Sequence, residues 1–161
     1  MAVLEQLSRM SDERFAALYE ALTERGYGPL DAEVAKELKF RPQAIRKVPL
    51  EKRAKRARTI IERTHNDELC YEFFGTYLVR TKKELVTGFL DETGVKHEEG
   101  MIEDIEASAP DPDKVEPALA KLDAAHGADD VTLYLALCVE QWPEAEHLRK
   151  AWEARGAAAS A

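Results

Sequence analysis

The 161-residue sequence predicts an all-α fold, and three observations predict it. Apolar residues recur at spacings of three and four, N-capping residues and breakers fall between those stretches, and the one ambiguous apolar run is rich in leucine and alanine. About nine short helices are expected, in antiparallel hairpins, arranged as a compact multi-helix bundle or a short α-hairpin stack. A chain of this length buries most of its apolar surface without a disulfide or structural metal, so residues 1–156 are expected to form a single helical domain, followed by a disordered tail at 157–161.

Val3, Leu4, Leu7 and Met10 make the first apolar stripe. Ser11 then caps a helix with Asp12 and Glu13 in its first turn, a Phe15, Leu18, Tyr19 and Leu22 stripe, and Gly26 as its stop. Asp31 is placed to cap the next helix, with Val34, Ala35 and Leu38 inward. Pro42 opens a short turn of helix, and Pro49 starts a basic one at its first position. Asn66 caps the helix that holds "DELCYEFFGTYLV". Thr81 and Glu84 have capping-box spacing before "LVTGFLDETG", which Gly94 ends. With almost no loop between them, these last two helices are expected to pair antiparallel. Gly75 and Gly88 lie equally far from the turn near Thr81, so that pairing would oppose them in a close backbone crossing.

Residues 95–112 break the periodicity with acids, Gly100, Pro110 and Pro112. The segment is long for an idle connection and reads as an internal linker or functional loop. Its apolar members Val95, Met101, Ile102 and Ile105 predict that it packs across the surface, with a short extended piece near Met101. Three helices follow, over 114–126, over 131–141 behind Asp129 or Asp130, and over 143–155 with Leu148 and Trp152 on one face.

Charge is segregated along the chain. Residues 1–35 carry 3 basic and 7 acidic side chains, residues 36–63 carry 11 and 3, and residues 64–161 carry 9 and 21, balances of −4, +8 and −12 that make the net −8. The basic block "RPQAIRKVPLEKRAKRARTIIER", residues 41–63, holds nine Lys and Arg. On a helix it is amphipathic: Leu50, Ala54, Ala57 and Ile61 share one face, while Lys52, Lys55, Arg56 and Arg63 spread over the other. Lys52, Arg53, Lys55, Arg56, Arg58 and Arg63 are therefore the candidate partner-binding residues.

Catalytic chemistry has little foothold. No phosphate-binding glycine loop, GxSxG elbow, CxxC pair or HExxH occurs. Glu62 with His65 and Glu144 with His147 repeat the Glu-x-x-His spacing of di-metal carboxylate bundles, but at helix ends rather than mid-helix. His97 with Glu98, Glu99, Glu103 and Asp104 lacks the fixed ligand alternation of a calcium loop and reads as a solvated acidic turn. Cys70 and Cys138 sit in apolar runs as small buried hydrophobes. No catalytic residue, metal or cofactor is assigned.

The N-terminus lacks a basic n-region and no run approaches the roughly 20 apolar residues of a membrane span, so a cytoplasmic chain without membrane attachment is expected. The functions that follow are ordered by their physics. The first is a non-enzymatic protein-interaction module, adaptor or regulatory, whose basic helix docks on an acidic protein surface, either its own C-terminal half or another protein. Nucleic-acid association through the basic helix 50–63 is the alternative, weakened by the net negative charge. A divalent-metal enzyme built on the Glu-x-x-His pairs comes third.

Overall fold

The computed structural model describes residues 1–24, 26, 28–39 and 41–160, the side chains of 29, 42, 43 and 157–160 excepted. The described residues form nine α-helices and one 3-10 helix, with no strand beyond an isolated bridge, so the fold is all-α. None of the helices is long and apolar enough to cross a membrane. By contacts the chain divides into two compact units, one of residue 1 and residues 3–77, the other of residue 2 and residues 78–161, with the division falling inside one helix.

The first unit is built from α1 (Ala2–Arg9), α2 (Asp12–Glu24), α3 (Pro29–Glu37), the 3-10 helix Pro42–Lys47, α4 (Leu50–Thr64) and the first part of α5 (Asp67–Thr81). Ser11 caps α2 as its position predicts, its hydroxyl accepting from Arg14 N–H at 3.1 Å. Asn66 caps α5 in the same way, accepting from Leu69 N–H at 2.9 Å. Helix α4 packs on α2 and α3, and its inward alanines, Ala54 and Ala57, allow that approach. Phe15 of α2 and Phe73 of α5 meet with ring centroids 5.1 Å apart, at the centre of a core that also takes Leu18, Leu22 and Ile61.

Asp31 does not cap. Pro29 opens α3 two residues earlier, as suits a residue with no N–H to lose, and the Asp31 carboxylate accepts from the Tyr19 phenol instead. Burial, reinforced by Asp31, pushes the Tyr19 phenol well above its ordinary range. At the far end, α4 stops on His65 in the left-handed conformation, φ 48°, and Asn66 N–H reaches back to Ile61 O at 3.2 Å.

The second unit holds the rest of α5, then α6 (Lys83–Glu92), α7 (Pro112–His126), α8 (Ala128–Gln141) and α9 (Glu146–Ser160). The ambiguous run is a helix. Within α8, Val131 and Leu133 through Val139 are all buried, so it is enclosed nearly all round, with α7 and α9 packed on it. Phe89 of α6 meets Tyr134 of α8 edge-on, centroids 5.4 Å apart. Arg155 ties three helices together: its Nη1 and Nη2 reach Asp123 of α7 at 3.0 and 2.6 Å, its Nε reaches Thr132 of α8 at 2.8 Å, and its Nη2 also donates to Ala128 O at 3.2 Å.

Three expectations are corrected here. Helix α5 runs on through Thr81, so that residue belongs to α5; the N-cap position of α6 is Lys82, which makes no side-chain capping bond. The opposed-glycine crossing is not formed either. A Cβ built on Gly75 meets nothing within 4 Å, whereas one on Gly88 meets Leu122 Cδ2 of α7 at 3.3 Å, because α6 lays its buried face on α7. Thirdly, α9 continues helical past 157 to Ser160, with Ala161 outside the described residues.

Residues 95–111 are tied down rather than loose. Val95 is buried, Trp142 Nε1 donates to Ile105 O at 2.8 Å, Asp111 N–H donates to Thr93 O at 3.1 Å, and His147 Nε2 lies 3.1 Å from Pro110 O. The extended piece is a two-residue hairpin: Glu98 and Met101 exchange backbone bonds of 2.8 and 2.9 Å around Glu99 and Gly100, both at positive φ (53° and 92°). Only glycine adopts the second of these cheaply.

Candidate functional site

The six candidate residues on α4 divide into two sets. Arg53, Arg58 and Arg63 belong to the framework of the first unit. Arg53 is 8% exposed, and its Nε donates to Val48 O at 3.0 Å while the guanidinium stands 6.0 Å from the Tyr19 ring centroid. Arg58 joins three segments: Nε to Glu62 at 2.9 Å, Nη1 to Asp12 of α2 at 3.0 Å, and Nη2 to Leu7 O of α1 at 2.8 Å. Arg63 forms a two-pronged pair with Glu37 of α3 at 2.8 and 3.2 Å, and that pair holds the Glu37 carboxyl below its usual range. The opposite-face assignment for Arg63 is correct as to exposure, but the side chain already has an acid.

Lys52, Lys55 and Arg56 are the second set. Lys52 and Lys55 are exposed and Arg56 is half-buried. Among the described residues no hydrogen bond or salt bridge engages their side chains, and Arg56 adds only a smaller electrostatic pull on Glu37. The 3-10 helix extends this surface in a way that helical periodicity did not reveal. It turns Ile45 inward, with Val48 just beyond it, and leaves Arg46 and Lys47 outward beside an exposed Arg41. Their signal was present in the basic block, but a six-residue turn between two prolines offers too few positions to assign a face.

Beside this surface, between α2 and α4, lies a cleft of about 280 Å³. Phe15, Ala16 and Ala54 give it an apolar lining, and its charged lining is mixed, Asp12, Glu13 and Glu51 against Lys55 and Arg58. A nucleophile with a base beside it is not among those side chains, so the cleft suits the seating of a side chain better than a reaction.

A second cleft, of about 260 Å³, lies at the hairpin of the second unit, lined by His97, Met101, Glu103 and Asp104 among others. The imidazole of His97 organises it: Nδ1 accepts from Gly100 N–H at 2.9 Å, so the proton sits on Nε2, 2.6 Å from Asp91 Oδ1. The predicted solvated acidic turn is thus a structured one. Glu98, Glu99, Glu103, Asp104 and Glu106 are all exposed around it, and Met101 is 76% exposed.

Neither Glu-x-x-His pair is assembled for a metal. Glu62 receives Arg58 and His65 is the left-handed cap of α4; Glu144 is exposed in a turn and His147 faces the Pro110 carbonyl. Among the described residues no group of three or more His, Cys, Asp or Glu could hold a metal ion. Both cysteines are buried and unpaired with each other, and burial pushes the Cys138 thiol up to about 12, which makes it a poor nucleophile.

No protein-family model matches the chain, and neither a curated protein nor a solved structure matches it significantly.

Proposed function

We propose that the chain is a non-enzymatic protein-interaction module whose cationic surface, on the 3-10 helix and α4, holds an acidic segment of a partner protein. The observation that carries this reading is the division of labour on α4. Arg53, Arg58 and Arg63 fix the helix to α1, α2 and α3, and that leaves Lys52, Lys55 and Arg56 with Arg46 and Lys47 presented on a rigid support without acids of their own. Preorganised positive charge of this kind speeds encounter and selects acidic partners. Nucleic acid is a poorer fit, since Phe15, Tyr19, Phe73, Phe74 and Tyr77 are all in the core and Tyr71 is the one exposed ring among the described aromatic side chains, which makes no stacking platform.

The test is a titration with a synthetic Glu-rich peptide and, separately, a random-sequence duplex, each at 50 and 200 mM salt. The peptide is expected to bind, and Lys52→Glu, Lys55→Glu and Arg56→Glu together to abolish binding. Duplex binding through about three phosphates would weaken roughly 40-fold between those salts. Tight duplex binding with that salt response and no peptide binding would replace this reading with a nucleic-acid one.

A further inference from the structure

The same chain carries a surface complementary to its own cationic face. The first unit holds 14 Lys and Arg against 13 Asp and Glu, a balance of +1, and the second holds 9 against 18, a balance of −9. In the second unit part of that excess lies on a tied-down stretch between helices. Five exposed acids between Glu98 and Glu106 surround Met101, at 76% exposure, and Ile105, at 38%. The hairpin that displays Met101 is closed by the Glu98 and Met101 backbone bonds and by the His97 to Gly100 bond, and Trp142 anchors Ile105 O.

We infer that the acidic partner of the cationic surface is this 98–106 segment of a second copy of the chain. The inference rests on the binding-module reading and supplies its partner. Charge complementarity argues for it, and so does shape. The α2–α4 cleft, apolar at Phe15, Ala16 and Ala54 and bordered by Lys55, has room for a methionine side chain, and methionine adapts to irregular apolar clefts. The cleft itself carries three acids, Asp12, Glu13 and Glu51, against Lys55 and Arg58, so the attraction comes from the rest of the cationic surface, Arg46, Lys47, Lys52 and Arg56. Two copies of net charge −8 repel at long range, but at about 0.1 M salt that repulsion is screened beyond roughly 10 Å, and the contact charges decide. Each copy has both surfaces, so the association is head-to-tail and does not stop at two unless it closes into a ring.

Sedimentation velocity of the full chain tests this, with two variants. One carries Lys52→Glu, Lys55→Glu and Arg56→Glu; the other carries Glu98→Lys, Glu103→Lys and Glu106→Lys. The unmodified chain is expected to gain mass with concentration at about 0.1 M salt and to return to monomer at about 0.5 M. Each variant alone should stay monomeric, because like charges then face each other. An equimolar mixture of the two should associate again, since every reversed surface then meets its opposite. A chain that is monomeric throughout yet binds the Glu-rich peptide overturns the self-association and leaves the binding module standing. A chain that does neither overturns both. Association of the second variant as strong as the unmodified chain's overturns the assignment to residues 98–106, and this arm decides even if the first variant fails to fold, since its changes lie outside every helix.

Discussion

Arg58 and Lys52 carry the same charge about nine tenths of a nanometre apart along one helix, at about 1.5 Å of rise per residue, yet removing them should have different consequences. The Arg58 guanidinium makes bonds to Asp12, Glu62 and Leu7 O with its side chain 13% exposed, so Arg58→Ala breaks the bonds that join α4 to α1 and α2 and leaves Leu7 O with Met10 N–H alone. A loss of about 2–3 kcal/mol in urea-unfolding stability is expected, against under about 0.5 kcal/mol for Lys52→Ala. Equal losses would mean that the Arg58 network contributes nothing. None of this was legible locally, because Asp12 and Leu7 lie 46 and 51 residues away in the chain. At His97 the chemistry is one of tautomers. Only the unprotonated Nδ1 can accept from Gly100 N–H, so His97→Ala, which removes that acceptor, should speed hydrogen exchange at the Gly100 amide. Unchanged exchange at Gly100 in that variant would refute the bond. Tyr19 acts at alkaline pH. Its raised phenol stabilises the native state fully below the ordinary phenol range, and that contribution is lost as pH rises through the folded value, so alkaline unfolding should come later for Tyr19→Phe relative to its own neutral stability.

Among the elements, the helices with a strong apolar rhythm were legible, and their ends less so. The α2 stripe and the Ser11 cap, the Ala54, Ala57 and Ile61 face of α4, and the buried α8 all follow from spacing and side-chain type. Thr81 misled because a capping box and a mid-helix threonine share the same letters, and only the continuing hydrogen-bond ladder of α5 distinguishes them. The glycine symmetry misled for a related reason: sequence distance from a turn says nothing of which neighbour a face chooses, and α6 chose α7. A consequence can be measured. With open space at its Cβ, Gly75→Ala should raise stability by about 1 kcal/mol through helix propensity alone, whereas Gly88→Ala should gain clearly less because Leu122 Cδ2 must give way. Thermal melts in which Gly75→Ala destabilises would show that the residue faces a packed neighbour. The contact between α3 and α4 has its own pH signature. Since Arg63 lowers the Glu37 carboxyl, its contribution is present above the ordinary carboxylate range and is lost as pH falls through the lowered folded value, and Arg63→Gln should remove that part of the acid dependence.

At the scale of the whole molecule, charge segregation was visible in simple counts, and its placement was not. The basic block and the acidic stretch could be read from composition, but which cations remain available depends on tertiary partners such as Glu37, and the rigid display of Met101 depends on a histidine bond. The two compact units raise the question of whether the chain unfolds in one step or two. The cysteines can answer it. Cys70 in α5 belongs to the first unit and Cys138 in α8 to the second, each wholly enclosed and each the only thiol of its unit. An alkylating reagent therefore finds one built-in reporter per unit, reactive only when that unit opens. Labelling the native protein in rising urea, with the two sites read separately by mass, should trace two protection curves: coincident curves mark a single cooperative molecule, and separated ones reveal which half gives way first.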